Sequence, residues 1–388
     1  MDARMISILF SLLQKEVCGG EVVMTDADKT YVKENLASLY ALSKSHDVAH
    51  LVGHALAREG SLSPDDPFFR KFEKQQMLAI YRYEQSAYEL QQICEVLEGA
   101  EIDYMPLKGA VIRDLYPEPW MRTSCDIDIL IREEDLEKAM AALAQELGYE
   151  AESARNYHDI SLHSPGGIHL ELHFNILENM ENIDRMLGKV WENAVPAVNG
   201  GHRFDQSTPY FLFHHIAHMA YHVVNGGCGI RPFLDLYVLQ TKLSCDQEAL
   251  HRFLQECEIE KFYEGVLQLK GVWLEGHSHN ALTLQMQGYL LEGGVYGSLE
   301  NKAAAVRQEG GKLRYVWARL FLPYETLGQY YPVLRRHKWL YPFMQVRRWG
   351  RLLFGGRMSA SMRELSANQK VTKDKADEIK NFLSDLGL

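Results

Sequence analysis

The fold of this chain is decided by residues 107–130, which read LKGAVIRDLYPEPWMRTSCDIDIL. The stretch ends in an alternation of acidic and aliphatic residues that predicts a strand over 125–131. Side chains alternate with period two along a strand, so Asp126 and Asp128 project from the same face with their Cα atoms about 6–7 Å apart. That spacing suits two divalent cations about 3.5–4 Å from each other. Because two like charges on one strand face are otherwise unfavourable, the pair predicts a metal-binding site.

A second alternating segment, HLELH at residues 169–173, carries a third acid. Its period-two pattern directs Glu171 away from the two leucines that flank it. The turn sequence SPGG precedes this segment and separates it from an alternating run at 158–163, which is typical of a hairpin. If the strand at 169–173 neighbours the strand at 125–131, Glu171 joins the two aspartates. Three carboxylates favour Mg²⁺, a hard cation that also binds nucleotide phosphates.

Five short motifs combine in this part of the chain: LKG at 107–109, LY at 115–116, R at 122, DIDIL at 126–130 and LELHF at 170–174. The combination resembles the bacterial family of uncharacterised nucleotidyltransferases, which is related in fold to DNA polymerase β. The resemblance is strongest over residues 84–178 and continues weakly through His214-x-x-x-His218 and Arg231-x-x-x-Asp235. It implies an α+β protein in which a small mixed β-sheet nucleotidyltransferase core is flanked by N- and C-terminal helical regions.

The resemblance implies transfer of a nucleoside monophosphate from a nucleoside triphosphate to an acceptor, with release of pyrophosphate. It implies that Asp126, Asp128 and Glu171 are the catalytic metal ligands, for two Mg²⁺ ions or for Mn²⁺ in their place. An ion held by all three acids would lower the pKa of an acceptor hydroxyl. A second ion, held by the two aspartates, would neutralise the leaving pyrophosphate.

The resemblance also implies that Lys108, Gly109 and Arg122 bind the phosphates, with a helix start after the glycine that offers free N–H groups. Two departures from the wider superfamily concern these contacts. Lys-Gly-Ala replaces Gly-Ser or Gly-Gly, and sixteen residues separate Gly109 from Asp126. Taken alone, Arg113 and Arg122 are explained equally well as surface charge. Positions around the ligands are expected for His173, His214, His218, Arg231 and Asp235.

Composition restricts the class of protein and of partner. The chain has 388 residues, 46% of them apolar and 24% charged, which is typical of a globular protein. A net charge of −11 disfavours nucleic acid as the acceptor and leaves a small molecule, a peptide or a protein. We expect no transmembrane segment, because no run of 18 apolar residues occurs. Six scattered cysteines predict reduced thiols in a cytoplasmic protein.

Helical periodicity on both sides of the alternating segments predicts how the chain is divided. We expect four regions: an N-terminal helical region at 1–83, a nucleotidyltransferase-like α/β core at 84–200, a C-terminal helical domain at 201–350 and a polar C-terminal tail at 351–388. The tail is expected to form a polar helix at most. We find no internal repeat of 20 to 50 residues.

Two other classes of function remain open at this point. One is a non-catalytic nucleotide-binding or scaffold protein that retains the fold. The other is a metal-dependent phosphohydrolase that uses histidines, suggested by His46-Asp47 together with His50 and His54. The remaining ligands of such a site are not found at convincing positions, and a helix start explains Asp47 adequately.

A second group of histidines lies at helical spacing. His214, His218 and His222 share one face of a predicted helix, where imidazoles one turn apart are able to share a zinc ion. No glutamate completes an H-E-x-x-H motif, so we expect them to hydrogen-bond buried partners or to contact the nucleotide or the acceptor.

The segment 326–363 contains eight basic residues, several aromatic residues and no Asp or Glu. A groove for a polyanionic acceptor and an anionic membrane surface are two interpretations of this composition. We favour a third, a helical lid whose arginines pair with the acidic remainder of the chain.

Overall fold

The computed structural model describes residues 2–20, 24–197, 201–306, 317, 321–331, 333–354 and 371–388. Helices surround one small mixed sheet, which confirms the predicted α+β class. The chain begins with four helices: α1 (Ala3–Leu13), α2 (Asp26–Ser45), α3 (Ala49–Arg58) and α4 (Phe69–Gly99). Helix α2 starts at a capping box, in which the Thr25 hydroxyl accepts a hydrogen bond from the Asp28 N–H and the Asp28 carboxylate accepts from the Thr25 N–H.

The sheet is built from five strands in the spatial order β1-β2-β5-β4-β3. They are β1 (Tyr104–Pro106), β2 (Asp126–Ile131), β3 (Glu150–Arg155), β4 (Asp159–His163) and β5 (His169–His173). Strands β4 and β5 form the predicted antiparallel hairpin. Strand β2 pairs with β5 in parallel, so the acidic strand and the strand with Glu171 are direct neighbours.

One face of the sheet is covered by two helices, α4 and α6 (Leu136–Leu147). Ile127 and Ile129 of β2 and Leu170 and Leu172 of β5 are at most 1% exposed in this layer. Because side-chain direction alternates along a strand, the polar residues of β2 and β5 occupy the opposite face. Burial of the aliphatic residues therefore fixes which face of the sheet carries the acids.

Further helices follow the strands along the chain. A short helix α5 (Gly109–Ile112) follows β1, and α7 (Glu181–Leu187) and the hairpin β6 (Ala194–Pro196) and β7 (Phe204–Gln206) follow β5. Next come α8 (Thr208–Val224), α9 (Arg231–Lys242), α10 (Gln247–Glu256), α11 (Glu260–Leu274), α12 (Ala281–Gly293) and α13 (Leu299–Val306). The described chain ends with helices Tyr324–Tyr330, Val333–Arg336, Tyr341–Phe354 and Lys373–Asp385.

The helices before and after the sheet share one hydrophobic core. Phe10 of α1, for example, stacks on Trp273 of α11 with the ring centroids 4.3 Å apart. This shared core brings the two ends of the chain to the same side of the sheet. None of the helices in the described ranges combines the length and the apolar character that crossing a bilayer requires.

The C-terminal helix differs from the polar tail that the sequence suggests. Helix Lys373–Asp385 buries Ile379, Phe382 and Leu383, and it packs against α13. The three lysines and the acids of this helix lie beside an apolar stripe at three- and four-residue spacing. Of the basic segment 326–363, Arg357 and Arg363 lie outside the described residues.

Candidate active site

The three predicted acids meet on the face of strands β2 and β5 that lies opposite α4 and α6. In the parallel register, Asp128 pairs with Glu171 and Asp126 pairs with His169. Ligand atoms of Asp126, His169 and Glu171 lie within 4.8 Å of one another, and so do those of Asp128, Glu171 and His173. Glu171 belongs to both groups, so it links the two aspartates into one cluster that offers carboxylate oxygens to a cation.

The two aspartates have different electrostatic surroundings. Burial, followed by the charge of Asp128, raises the pKa of Asp126, although the Ser124 hydroxyl donates a 2.8 Å hydrogen bond to its carboxylate. Burial acts on Asp128 in the same direction, but the hydrogen bond from His173 and the charge of Lys108 outweigh it and hold the pKa of Asp128 well below its usual range. The cluster thus keeps at least one carboxylate firmly ionised.

His173 contacts two of these acids directly. Its Nε2 lies 3.0 Å from Asp128 Oδ1 and 3.5 Å from Glu171 Oε2. Burial alone would lower the pKa of His173, but these two hydrogen bonds raise it to about 9. The imidazolium therefore offsets part of the negative charge that a bound metal would otherwise balance.

The turn at Lys108 and Gly109 lies beside the acids. The Leu107 N–H donates to the Asp128 carbonyl at 3.0 Å, which ties the turn to strand β2. Lys108 has a φ of +41°, a backbone conformation that residues other than glycine seldom adopt. A Cβ atom on Gly109 would lie 2.5 Å from Arg122 Nη1. Only glycine lets the guanidinium approach the turn this closely.

Arg122 is held in place by a buried ion pair. Its Nη2 donates to Asp235 Oδ2 at 3.1 Å and its Nε to Asp235 Oδ1 at 3.3 Å, while the Tyr116 hydroxyl donates to Oδ1 at 2.7 Å. The interpretation as surface charge is wrong for this residue and for Arg113, whose Nε donates to the Gly109 carbonyl at 2.7 Å. Both arginines are buried because they support the turn that precedes α5.

A second ion pair, between Arg231 and Asp47, joins α9 to the loop before α3. Arg231 Nη1 donates to Asp47 Oδ2 at 3.2 Å and to the Thr123 carbonyl at 3.1 Å. The Thr123 hydroxyl donates to the same Asp47 oxygen at 2.6 Å. Residues from both helical regions are therefore fixed to the segment that leads into β2.

The histidines do not form the alternative metal sites within the described residues. His46, His50 and His54 separately contact the Leu291 carbonyl, the Met121 carbonyl and the Glu16 carboxylate. On α8, His214 forms a hydrogen bond with Gln206, and His218 and His222 form a hydrogen bond with each other. These contacts leave no support for the phosphohydrolase interpretation.

The acids, the turn at Lys108, the two arginine–aspartate pairs and the histidines of α8 line one cavity of about 510 Å³. Its lining includes each residue that the resemblance placed in the nucleotidyltransferase site or around it: Lys108, Gly109, Arg122, Asp126, Asp128, Glu171, His173, His214, His218, Arg231 and Asp235. The sequence did not assign the lining residues Lys44, Asp47, Ser124, His158, Glu178 and Tyr221 to this site. Lys44 and Asp47 carry no local signal for it, because only the tertiary fold brings them to the cavity.

The family comparison is consistent with this arrangement. A family model described as uncharacterised nucleotidyltransferase matches residues 33–275, more than half of the chain. The match spans helices α2 to α11 as well as the sheet, so it extends well beyond residues 84–178. A search of curated proteins gave no significant match. Because this family model matches more than half of the chain, the protein belongs to the uncharacterised nucleotidyltransferases, a family whose general activity is nucleotidyl transfer.

Proposed function

We propose that this protein transfers a nucleoside monophosphate from a nucleoside triphosphate to an acceptor, in a reaction that depends on Mg²⁺ and releases pyrophosphate. The observation that carries the proposal is the convergence of Asp126, Asp128 and Glu171 beside Lys108 in a single cavity. Its volume of about 510 Å³ lies in the range of small-molecule sites.

The donor set fits a hard divalent cation. Asp126, Asp128 and Glu171 offer carboxylate oxygens, which Mg²⁺ and Mn²⁺ prefer to nitrogen or sulfur ligands. The raised pKa of Asp126 reflects burial and repulsion from Asp128, both of which a bound cation would offset. Two such ions, when bound, would polarise the phosphates and activate the nucleophile.

The remaining residues of the chain bind and orient the substrate in this proposal. Lys108 lines the cavity and contributes a positive charge for the β- or γ-phosphate. Arg122 is engaged by Asp235, which fixes its guanidinium beside the turn at Gly109. His173 holds the carboxylate of Asp128 in one orientation through its 3.0 Å hydrogen bond.

The acceptor is a small molecule, a peptide or a protein in this proposal. The net charge of −11 opposes the phosphate backbone of a nucleic acid. Among the described residues of the cavity lining, both arginines are paired with aspartates, so the cavity does not present the row of free cations that a polynucleotide requires.

The experiment incubates the protein with each α-labelled nucleoside triphosphate, Mg²⁺ or Mn²⁺ and a cell extract, and follows label transfer and pyrophosphate. We expect Asp126→Asn and Asp128→Asn to abolish both signals. Asp205→Asn is the matched control, because this aspartate is exposed on β7 and does not line the cavity. Cation-dependent nucleotide binding without pyrophosphate release would instead identify a non-catalytic nucleotide-binding protein.

A further inference from the structure

Three side chains that are linked by hydrogen bonds line the cavity, and the proposed function gives them no role. Glu178 Oε1 lies 2.5 Å from His218 Nδ1, and His218 Nε2 lies 3.0 Å from His222 Nε2. Glu178 follows strand β5, and both histidines lie on α8. All three line the same cavity as the acid cluster.

The backbone of Glu178 is anchored by a residue of α7. Its backbone N–H donates to Asp184 Oδ1 at 2.8 Å, in the first turns of α7, and its residue is only 7% exposed. With its backbone anchored and its side chain 8% exposed, Glu178 presents its carboxylate as a hydrogen-bond acceptor for His218. The pair resembles an arrangement in which an acid orients an imidazole and stabilises the charge that the imidazole acquires.

The protonation of both rings follows from their surroundings. Burial lowers the pKa of His222 to about 4 and, together with the charge of Lys108, holds the pKa of His218 well below its usual range. Both imidazoles are therefore neutral at neutral pH, and each carries one N–H and one lone pair.

The hydrogen bonds then determine which nitrogen carries each proton. Because the Glu178 carboxylate only accepts, His218 Nδ1 must be the donor, and His218 Nε2 is left with a lone pair. That lone pair accepts from His222 Nε2, so the proton of His222 is on Nε2 and its Nδ1 is free of hydrogen. Among the residues that the structure describes, none donates a hydrogen bond to His222 Nδ1.

We propose that Glu178, His218 and His222 form a proton relay in which His222 Nδ1 removes the proton of an acceptor hydroxyl. This inference rests on the proposed nucleotidyl transfer and assigns its acceptor class. As the acceptor oxygen bonds to the α-phosphorus, the bond from that phosphorus to pyrophosphate breaks and the hydroxyl proton moves to His222 Nδ1. Glu178 stabilises the resulting imidazolium through His218.

The relay selects among acceptor chemistries. A carboxylate has no proton to lose at neutral pH and would gain nothing from a base. An ammonium group must lose two protons to form a phosphoramidate, whereas the relay presents one unpaired nitrogen. A hydroxyl loses one proton and gives a phosphodiester, which matches the single acceptor atom at His222.

The experiment combines the label-transfer assay with His222→Gln, His222→Ala and Glu178→Gln. We expect His222→Gln to slow transfer by about 100-fold or more, the usual contribution of a general base, with nucleotide affinity and thermal unfolding unchanged. Added imidazole should restore part of the activity of His222→Ala, and Glu178→Gln should show a smaller loss. His251→Gln is the control, because this histidine is 66% exposed on α10. The transferred label should survive neutral hydroxylamine and mild acid.

Several results would overturn the relay. Label transfer that requires Asp126 but proceeds within threefold of the wild-type rate in His222→Gln would leave the proposed function intact and refute the inference. So would a product cleaved by hydroxylamine, as an acyl phosphate is, or by mild acid, as a phosphoramidate is. If the protein transfers no label, or if Asp126→Asn transfers it normally, both proposals fall.

A further measurement tests the relay without any substrate. Long-range proton–nitrogen NMR correlations of the histidine rings report which nitrogen carries the proton. We expect unprotonated Nδ1 at His222 and protonated Nδ1 at His218 in the wild-type protein, and a loss of this pattern in Glu178→Gln. A proton on Nδ1 of His222 at neutral pH would contradict the relay.

Discussion

Asp128 and Glu171 are paired directly across the parallel strands β2 and β5, although 43 positions separate them in the sequence. In a parallel pair, side chains in register lie on the same face of the sheet. Their carboxylates therefore open into one cavity, and His173 contacts both of them. This pairing is the basis of the cation site and of the first prediction.

Replacing either paired acid should weaken cation binding. We expect Asp128→Asn and Glu171→Gln each to reduce Mn²⁺ affinity at least about tenfold, since each removes a charged ligand worth more than about 1.4 kcal/mol. Titration calorimetry or the electron paramagnetic resonance of Mn²⁺ measures the affinity. Glu152→Gln on β3 is exposed and should bind as the wild type does. Equal affinities for all four proteins would contradict the cation site.

The stability of the cation-free protein should fall at alkaline pH. The pKa of His173 is raised from 6.5 to about 9 by its bonds to Asp128 and Glu171, so the folded state binds the proton more tightly than the unfolded state. The stabilisation is complete below about pH 6.5 and is lost as the pH rises through 9, by up to about 3 kcal/mol. Denaturant unfolding from pH 6 to 10 measures it, and His173→Gln should show a smaller slope in this interval.

Gly109 should not tolerate a methyl group. In Gly109→Ala the Cβ would lie 2.5 Å from Arg122 Nη1, so the guanidinium must move and its pair with Asp235 must weaken. We expect a lower melting temperature and weaker nucleotide binding. Gly288→Ala is the matched control, because a Cβ there meets nothing within 4 Å and alanine favours the helix α12. A variant at Gly109 as stable as the one at Gly288 would refute the close approach.

The buried ion pair of Arg122 and Asp235 should contribute far more to the free energy of unfolding than an exposed ion pair does. Both side chains are at most 9% exposed, so Asp235→Asn leaves a buried guanidinium without its counter-charge and should cost about 3–5 kcal/mol. Arg203→Met breaks an exposed pair with Asp205 and should cost less than about 1 kcal/mol. Chemical denaturation of the two variants compares these costs. Similar values would show that Arg122 is not desolvated.

The C-terminal helix should contribute to the shared core. Phe382 is 2% exposed and lies 5.1 Å from the ring of Tyr289, so Phe382→Ala should destabilise the protein by about 3–5 kcal/mol. Lys380→Ala changes an exposed position on the same helix and should leave stability within about 0.5 kcal/mol. A small effect at Phe382 would mean that the helix is only loosely attached.

Local sequence patterns were enough to predict which residues share a strand face and which face is polar. Acidic and aliphatic residues alternate at 126–131 and 169–173, and side-chain direction along a strand is a local property with period two. The same local reasoning predicted the hairpin of β4 and β5 and most helices around the sheet. It also pointed to the family, because the identifying motifs are short and contiguous.

The groups that each of these faces contacts depend on how the whole chain folds. The parallel pairing of β2 with β5, the burial of Arg113 and Arg122, and the contact between Glu178 and α8 depend on the path of the chain over tens of residues. No local period encodes such a path, since it is set by how the helices bury their apolar faces in one shared core. The acids could therefore be recognised from the sequence, whereas the partners of Arg122 and Arg231 and the contact between Glu178 and His218 could not.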